Sequence, residues 1–221
     1  VNHIKNVLRH TKGDVLSVVS DQIKYEVQID EINSECVVCD ILNKNFEEDN
    51  KIDLTIYQGL AKADKFEYII QKCTEIGVHR IVPTEMKRCV VKLDNKDQVK
   101  KIDRWRKIAE VASKQSLRND ILEVAQVATF MDLINSLKDF DYVIMAYEKE
   151  KDVLLKDVLK NINADTCKIA VIIGPEGGID DSEAEKLIEN GARSVSLGKR
   201  ILRTETAPIV VAANIMYELE S

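Results

Sequence analysis

The sequence predicts an α/β fold, a mostly parallel sheet with helices on both faces, preceded by a small β-rich module. Three observations carry it. The first 48 residues hold short β-rich runs without helical periodicity. From residue 51 onward strands and amphipathic helices alternate, the pattern of a sheet built from crossover units. Between them EEDNK, residues 47–51, is a polar hinge. The expected domains are therefore 1–48 and 51–221.

In the first domain, DVLSVVS, IKYEVQIDEI and SECVVCDIL read as three strands. Cys36 and Cys39 form a CxxC within the third. Positions three apart on a strand point to opposite faces, and no second Cys/His pair of matching spacing follows. They are read as packing residues, and no metal site is expected. Five cysteines in a chain whose start, VNHIKNVLRHTKG, has no apolar export segment are expected to be reduced thiols of a cytoplasmic protein. No apolar run is long enough to cross a membrane.

In the second domain IDLTIYQGL is a strand, followed by a helix over 64–76 that presents Phe66, Ile69, Ile70, Cys73 and Ile76 on one face. Asp64 and Glu67 have capping-box spacing, and Gly77 is placed to end the helix. HRIVPTE is a strand, and a long helix spans 98–116. DYVIMAYE is a strand, 153–161 a helix, CKIAVIIG a strand, and 182–189 a helix ended near Gly191. SVSLG is the last strand, and a helix begins near Thr206. That final helix is apolar almost all round, so it is either deep in the core or shared with a second subunit.

Charge is uneven. The chain carries a net −6, yet residues 80–118 hold twelve Lys/Arg against five Asp/Glu. At about 100° per residue, Lys100, Arg104, Lys107, Lys114 and Arg118 fall along one line of the long helix, with Ile102, Trp105, Ala109 and Ala112 on the opposite flank. A basic stripe on an acidic protein is either a solvated face or a place to hold phosphates.

Parallel sheets place ligands at the carboxyl ends of their strands. Three ends carry unusual residues: MAYEKE (145–150), IIGPEGGID (172–180) and LGKRILRTETAP (197–208). GPEGG is not a P-loop, and the chain has no GxGxxG. Its glycines permit positive φ and close ligand approach, although a plain structural turn is the bland reading. In ILRTETAP, Thr206 ahead of Pro208 is explained as a helix cap, whereas Arg203 and Glu205 either pair with each other or do chemistry.

Together these motifs resemble the SPOUT methyltransferases, and more closely the 16S rRNA uracil-N3 methyltransferases. IGPEGG, Leu197–Gly198 and ILRTETA carry the likeness, supported by HIKNVLR (3–9), KCTEIGVHRIVP (72–83), Arg88 and SKQSLRN (113–119). The family usually has Phe where this chain has Ile179, Gly at Leu117 and Pro at Leu122. The chain starts at the family's opening motif, so a first strand before it is expected to be missing.

The resemblance implies a PUA-like RNA-binding barrel, a C-terminal trefoil knot and a homodimer through the knot region and the last helix. It implies S-adenosylmethionine as cofactor and N3 methylation of uridine 1498 of 16S rRNA in the small ribosomal subunit. The cofactor-binding set would be Ala146, Tyr147, Glu148, Ile173, Gly174, Pro175, Glu176, Gly177, Gly178, Leu197, Gly198, Ile201, Leu202, Thr204, Thr206 and Ala207. Arg203 and Glu205 would be catalytic, with Arg9 as helper. His3, Lys5, Arg9, Lys12, Arg88, Lys100, Arg104, Lys107, Lys114 and Arg118 would bind RNA. Two alternatives stay open: a SPOUT 2′-O-ribose methyltransferase, separable by nucleoside mass spectrometry, and a non-catalytic RNA-binding assembly factor, marked by failure to bind cofactor.

Overall fold

A computed structural model of the chain describes residues 1–20, 23–45, 52–163 and 167–220. The chain divides into two compact units, Val1–Asp49 and Asn50–Ser221. The expected hinge at 47–51 lies outside the described residues.

The first unit opens with a wide helical turn, His3–Val7, and continues as an antiparallel meander of β1 (Val15–Ser20), β2 (Ile23–Ile32) and β3 (Val37–Asn45). β2 is the middle strand and carries the unit's best-buried side chains, Val27 and Ile29. Register shifts at Glu26/Val27 and Ile29/Glu31 bend it against β3. Cys36 is exposed in the turn before β3, where its sulfur accepts from Asn33 Nδ2. It is therefore not the packing residue expected from the sequence, because the strand begins one residue later.

In the second unit a seven-stranded sheet runs in the order β10-β8-β9-β4-β5-β6, with β7 pairing beside β6 on β5. Its strands are β4 (Ile52–Gly59), β5 (Arg80–Glu85), β6 (Glu123–Val124), β7 (Ala128–Thr129), β8 (Tyr142–Ala146), β9 (Cys167–Ile173) and β10 (Arg193–Val195), all parallel. The helices are α1 (Ala63–Ile76), α2 (Asn95–Gln115), α3 (Phe130–Ser136), α4 (Leu155–Leu159), α5 (Asp181–Glu189) and α6 (Ala207–Leu219). The expected α/β alternation with a parallel sheet is what forms.

Two apolar clusters cover the two sheet faces. One joins the sheet to α1, α2, α4 and α6, and the other to α3 and α5. Every core residue assigned to the long helix is buried: Ile102, Trp105, Ala109 and Ala112. Trp105 stacks on Phe66 with ring centroids 4.3 Å apart, fastening α2 to α1. α6 buries Val211, Ala212, Ile215, Met216 and Leu219 while Tyr217 stays exposed, so it is a core helix with one open face.

Two capping expectations change. Lys62, not Asp64, occupies the N-cap of α1, and no side chain caps that end. Asp64 falls in the first turn, where a carboxylate still meets the positive end of the helix dipole. Thr206 takes the N-cap of α6 with a helical backbone (φ −90°, ψ −37°) and makes no capping bond. Gly77 does close α1 in the left-handed region, φ 112°.

Candidate active site

Strand order brings the three unusual strand ends together. β10, β8 and β9 are adjacent, and β4 lies on the far side of β9. Register aligns Val195 with Ala146, Ala146 with Ile173, and Ile173 with Gln58. One row across the sheet therefore ends four strands at the same level, and the loops leaving it enclose a cavity of about 1110 Å³.

Fifteen of the sixteen residues proposed from the sequence as a cofactor set line this cavity; Thr206 does not. The wall also holds residues not anticipated: Lys65, Glu150, Leu154, Ser196, Lys199 and Arg200 among them. Lys65 had a legible signal. β4 also has a carboxyl end, and the helix that follows it carries this lysine in its first turn.

Close backbone packing shapes the GPEGG loop. A Cβ on Gly59 would lie 2.5 Å from Pro175 N, so β4 and the loop touch backbone to backbone. Gly178 has φ 73°, and a Cβ there would fall 2.2 Å from a Glu148 carboxylate oxygen. On the outer side Arg88 donates to Gly177 O (3.4 Å) and pairs with Asp180 (3.2 Å). Lys87 binds Asp180 and Ser182 from the same turn. Arg88 thus braces the loop instead of standing free on the surface.

Polar contacts tie the segment ahead of α6 into the sheet. Gln58, fully buried, donates from Nε2 to Thr204 Oγ1 (3.0 Å), and Thr204 Oγ1 donates to Gly174 O (2.7 Å). Beyond Thr204, Glu205 reaches Lys65 Nζ at 3.1 Å through Oε2, off the line of a good hydrogen bond. Arg203 stands 3.9 Å from Oε1, with its own side chain 80% exposed. Partial burial works to raise the Glu205 carboxyl. Its own backbone N–H, Lys65 and Arg203 outweigh that and hold it below the usual glutamate range.

The opposite wall is stiffened by carboxylates. Glu150 Oε1 accepts the backbone N–H groups of Lys151, Asp152 and Val153, which lowers its pKa and fixes the turn after β8. Tyr147 donates its hydroxyl to Asp181 (2.7 Å), and burial with that bond pushes the phenol up to about 12. It is a neutral donor at any working pH.

The proposed RNA ligands scatter. Lys100 and Lys107 are exposed on α2. Arg104 pairs with Glu67 (2.8 Å) and Lys114 with Glu110 (2.5 Å), both with exposed lysine or arginine ends. Arg118 leaves the stripe. α2 ends at Gln115, so the helical phase no longer applies, and the side chain is 9% exposed. Its guanidinium donates to Thr74 O and Val78 O and grips Asp120 with two bonds. Lys5, Arg9 and Lys12 are exposed in the first unit, Arg9 at φ 58° and Lys12 paired with Asp30; the His3 side chain lies outside the description. No cluster of His, Cys, Asp or Glu suited to a metal is present among the described residues, nor a helix long and apolar enough to cross a membrane.

The family model of an RNA methyltransferase domain matches residues 48–216. The ribosomal RNA small subunit methyltransferase E of Bacillus subtilis is 37% identical over 227 residues, an alignment covering all of this chain and 88% of that protein. The chain belongs to this methyltransferase family. A Mesomycoplasma hyopneumoniae member is 34% identical, covering 95% of this chain and 87% of the relative. The crystal structure of a Neisseria gonorrhoeae family member bound to S-adenosyl methionine superimposes with a TM-score of 0.79 at 26% identity, covering 97% and 87% of the two chains. Family membership makes the cavity the candidate active site, since the matched domain contains all of it.

Proposed function

We propose that this chain transfers a methyl group from S-adenosylmethionine to N3 of a uridine in 16S rRNA, uridine 1498 by family resemblance. The observation that carries the reading is the cavity at the ends of β8, β9 and β10, lined by Lys65, Glu176 and Arg203, with Glu205 in contact with that lysine and that arginine.

The cavity suits the cofactor's chemistry. Leu154, Leu197, Leu202 and Ala207 offer apolar surface to an adenine, whose edge would meet backbone amides near Leu197 and Leu202. Glu148 and Glu176 place negative charge where a sulfonium would be favoured. Gly177 and Gly178 let the loop backbone approach without side chains. When bound, S-adenosylmethionine supplies an electrophilic methyl on its sulfonium.

The chain's own part is positioning and proton handling. Orientation of reactants can lower the barrier by on the order of 7–11 kcal/mol. Glu205, held ionised, accepts the N3 proton as attack proceeds, and Arg203 stabilises the imide anion. An imide N–H is a far weaker acid than a carboxylic acid, so proton loss must accompany attack. Arg203 is mostly exposed here, and covering it with RNA would remove the water that now screens it. Arg9, in the first unit, is the proposed helper.

Lys5, Arg9, Lys12, His3, and the α2 cations Lys100, Arg104, Lys107 and Lys114 would hold phosphates and offset the cost of extruding the base. The first unit would serve as a PUA-like domain, and the Gln58–Thr204–Gly174 bonds support a knotted crossing ahead of α6. The chain is proposed to act in the cytoplasm as a homodimer through the knot and α6, where Ile201 and Tyr217 are exposed.

The test is methyl transfer from labelled S-adenosylmethionine to small subunits and to naked 16S rRNA, followed by nucleoside mass spectrometry. Labelled 3-methyluridine supports the reading. A 2′-O-methyl product, or no product with RNA bound, moves one of the two alternatives to the front.

A further inference from the structure

Lys65 carries no role in the sequence reading, yet its ammonium meets two of the site's carboxylates. It leaves the first turn of α1 and is 24% exposed. Its ammonium lies 3.1 Å from Glu205 Oε2 and 3.7 Å from Glu176 Oε1. Glu176 Oε1 in turn accepts the backbone N–H of Lys62, at the N-cap of the same helix (3.1 Å). One lysine thus joins the segment ahead of α6 to the GPEGG loop and anchors both on α1.

We propose that Lys65 is a positioning residue for methyl transfer, turning the Oε1 edge of Glu205 toward the cavity side held by Arg203 while occupying Oε2. The inference rests on the assignment of Glu205 as proton acceptor. The charged groups in contact with Glu205 are Lys65 from α1 and Arg203 from its own segment, and Glu176, from the loop after β9, is the second carboxylate on Lys65. Removing Lys65 takes from Glu205 the cation that lies 3.1 Å from its Oε2, so the charged form loses support and the carboxylate's affinity for a proton rises.

The sign of the effect is fixed. Wild-type Glu205 is held below the ordinary glutamate value, so its anion persists to low pH. Lys65→Met should move the Glu205 titration to higher pH, and Lys65→Arg should restore it. Carboxyl ¹³C titration of the protein without RNA or cofactor reads this directly, with the Glu205 resonance assigned by its loss in Glu205→Gln. The acid limb of the kcat profile should move up with it, with a roughly tenfold fall in kcat at saturating substrates and recovery in Lys65→Arg.

A role confined to stability would lower the melting temperature of Lys65→Met and leave both titration and acid limb in place. That result overturns the proposal. Should Glu205→Gln retain the wild-type rate and profile, the proton-acceptor assignment fails first and takes the Lys65 role with it. An inactive Glu205→Gln beside an unshifted Lys65→Met refutes the Lys65 role alone.

Discussion

The hydroxyl of Thr204 donates to the carbonyl oxygen of Gly174 across 2.7 Å, joining the segment before α6 to the first glycine of the GPEGG loop. The Thr204 hydroxyl oxygen in turn accepts from the buried side-chain amide of Gln58. Two loops distant in sequence are held in register by one hydroxyl. Thr204→Val keeps the shape, removes the donor to Gly174 and strands the Gln58 N–H. Leaving buried groups unpaired costs about 1–3 kcal/mol. Urea unfolding should show a loss of that size, and the double variant with Gln58→Met should lose less than the sum of the two singles.

Gly178 meets a different constraint. Its φ of 73° disfavours any side chain, and a Cβ would press on the Glu148 carboxylate. Gly178→Ala should destabilise by about 1–3 kcal/mol. Repeating the substitution in a Glu148→Ala background should recover part of the loss, because the carboxylate can be removed and the backbone strain cannot. Full recovery would show that φ imposes no strain at this position.

Leu117 is a local misfit. It sits at φ 59° with its side chain 75% exposed, so it pays left-handed strain without burying apolar surface. Leu117→Gly removes strain of about 1–2 kcal/mol, partly offset by the greater freedom of glycine in the unfolded chain. A calorimetric melting temperature higher by roughly 1–3 °C is expected. A lower one would mean that Leu117 has a partner that matters.

Asp180 predicts a window of acid sensitivity. Bonds from Ser182 and Lys87 hold its carboxyl down to about 2, against an ordinary value of 3.8. A depressed carboxylate stabilises fully above its unfolded value, and the benefit fades as pH falls toward the folded one. The stability gap between wild type and Asp180→Asn should therefore be constant above pH ~5 and close between about 4 and 2. A gap that persists at pH 2 would show that the ionised carboxylate is not its source.

The α2 cations separate into two classes. Arg104→Glu with Lys107→Glu should weaken RNA binding, flatten its salt dependence by about two phosphate contacts and leave cofactor affinity unchanged. Arg118→Ala should instead lower stability, since its guanidinium caps the Thr74 and Val78 carbonyls at the end of α1. Filter binding and thermal melts on the same samples distinguish the two.

Much of this architecture was legible because periodicity and punctuation agree in the second unit. Gly77 ends α1 where expected, and the apolar flank of α2 faces the core. The three strand ends could be picked out because polar, glycine-rich stretches there follow apolar strands. Their convergence depends on strand order, which no local pattern encodes: β4 sits beside β9, more than a hundred residues away in sequence. That is why Lys65 escaped notice while its partner Glu205 did not. Arg118 misled for a related reason, since a helical phase extrapolated past Gln115 describes a helix that has already ended.

Calorimetric titration of the purified protein with S-adenosylmethionine tests the central claim most directly. The cavity at the ends of β8, β9 and β10 predicts one site per chain. Gly177→Val, whose new Cβ would lie 2.9 Å from Arg88 Cβ, should abolish or sharply weaken binding while circular dichroism stays native. Absence of binding to the folded wild-type protein, or unchanged binding in folded Gly177→Val, would contradict it.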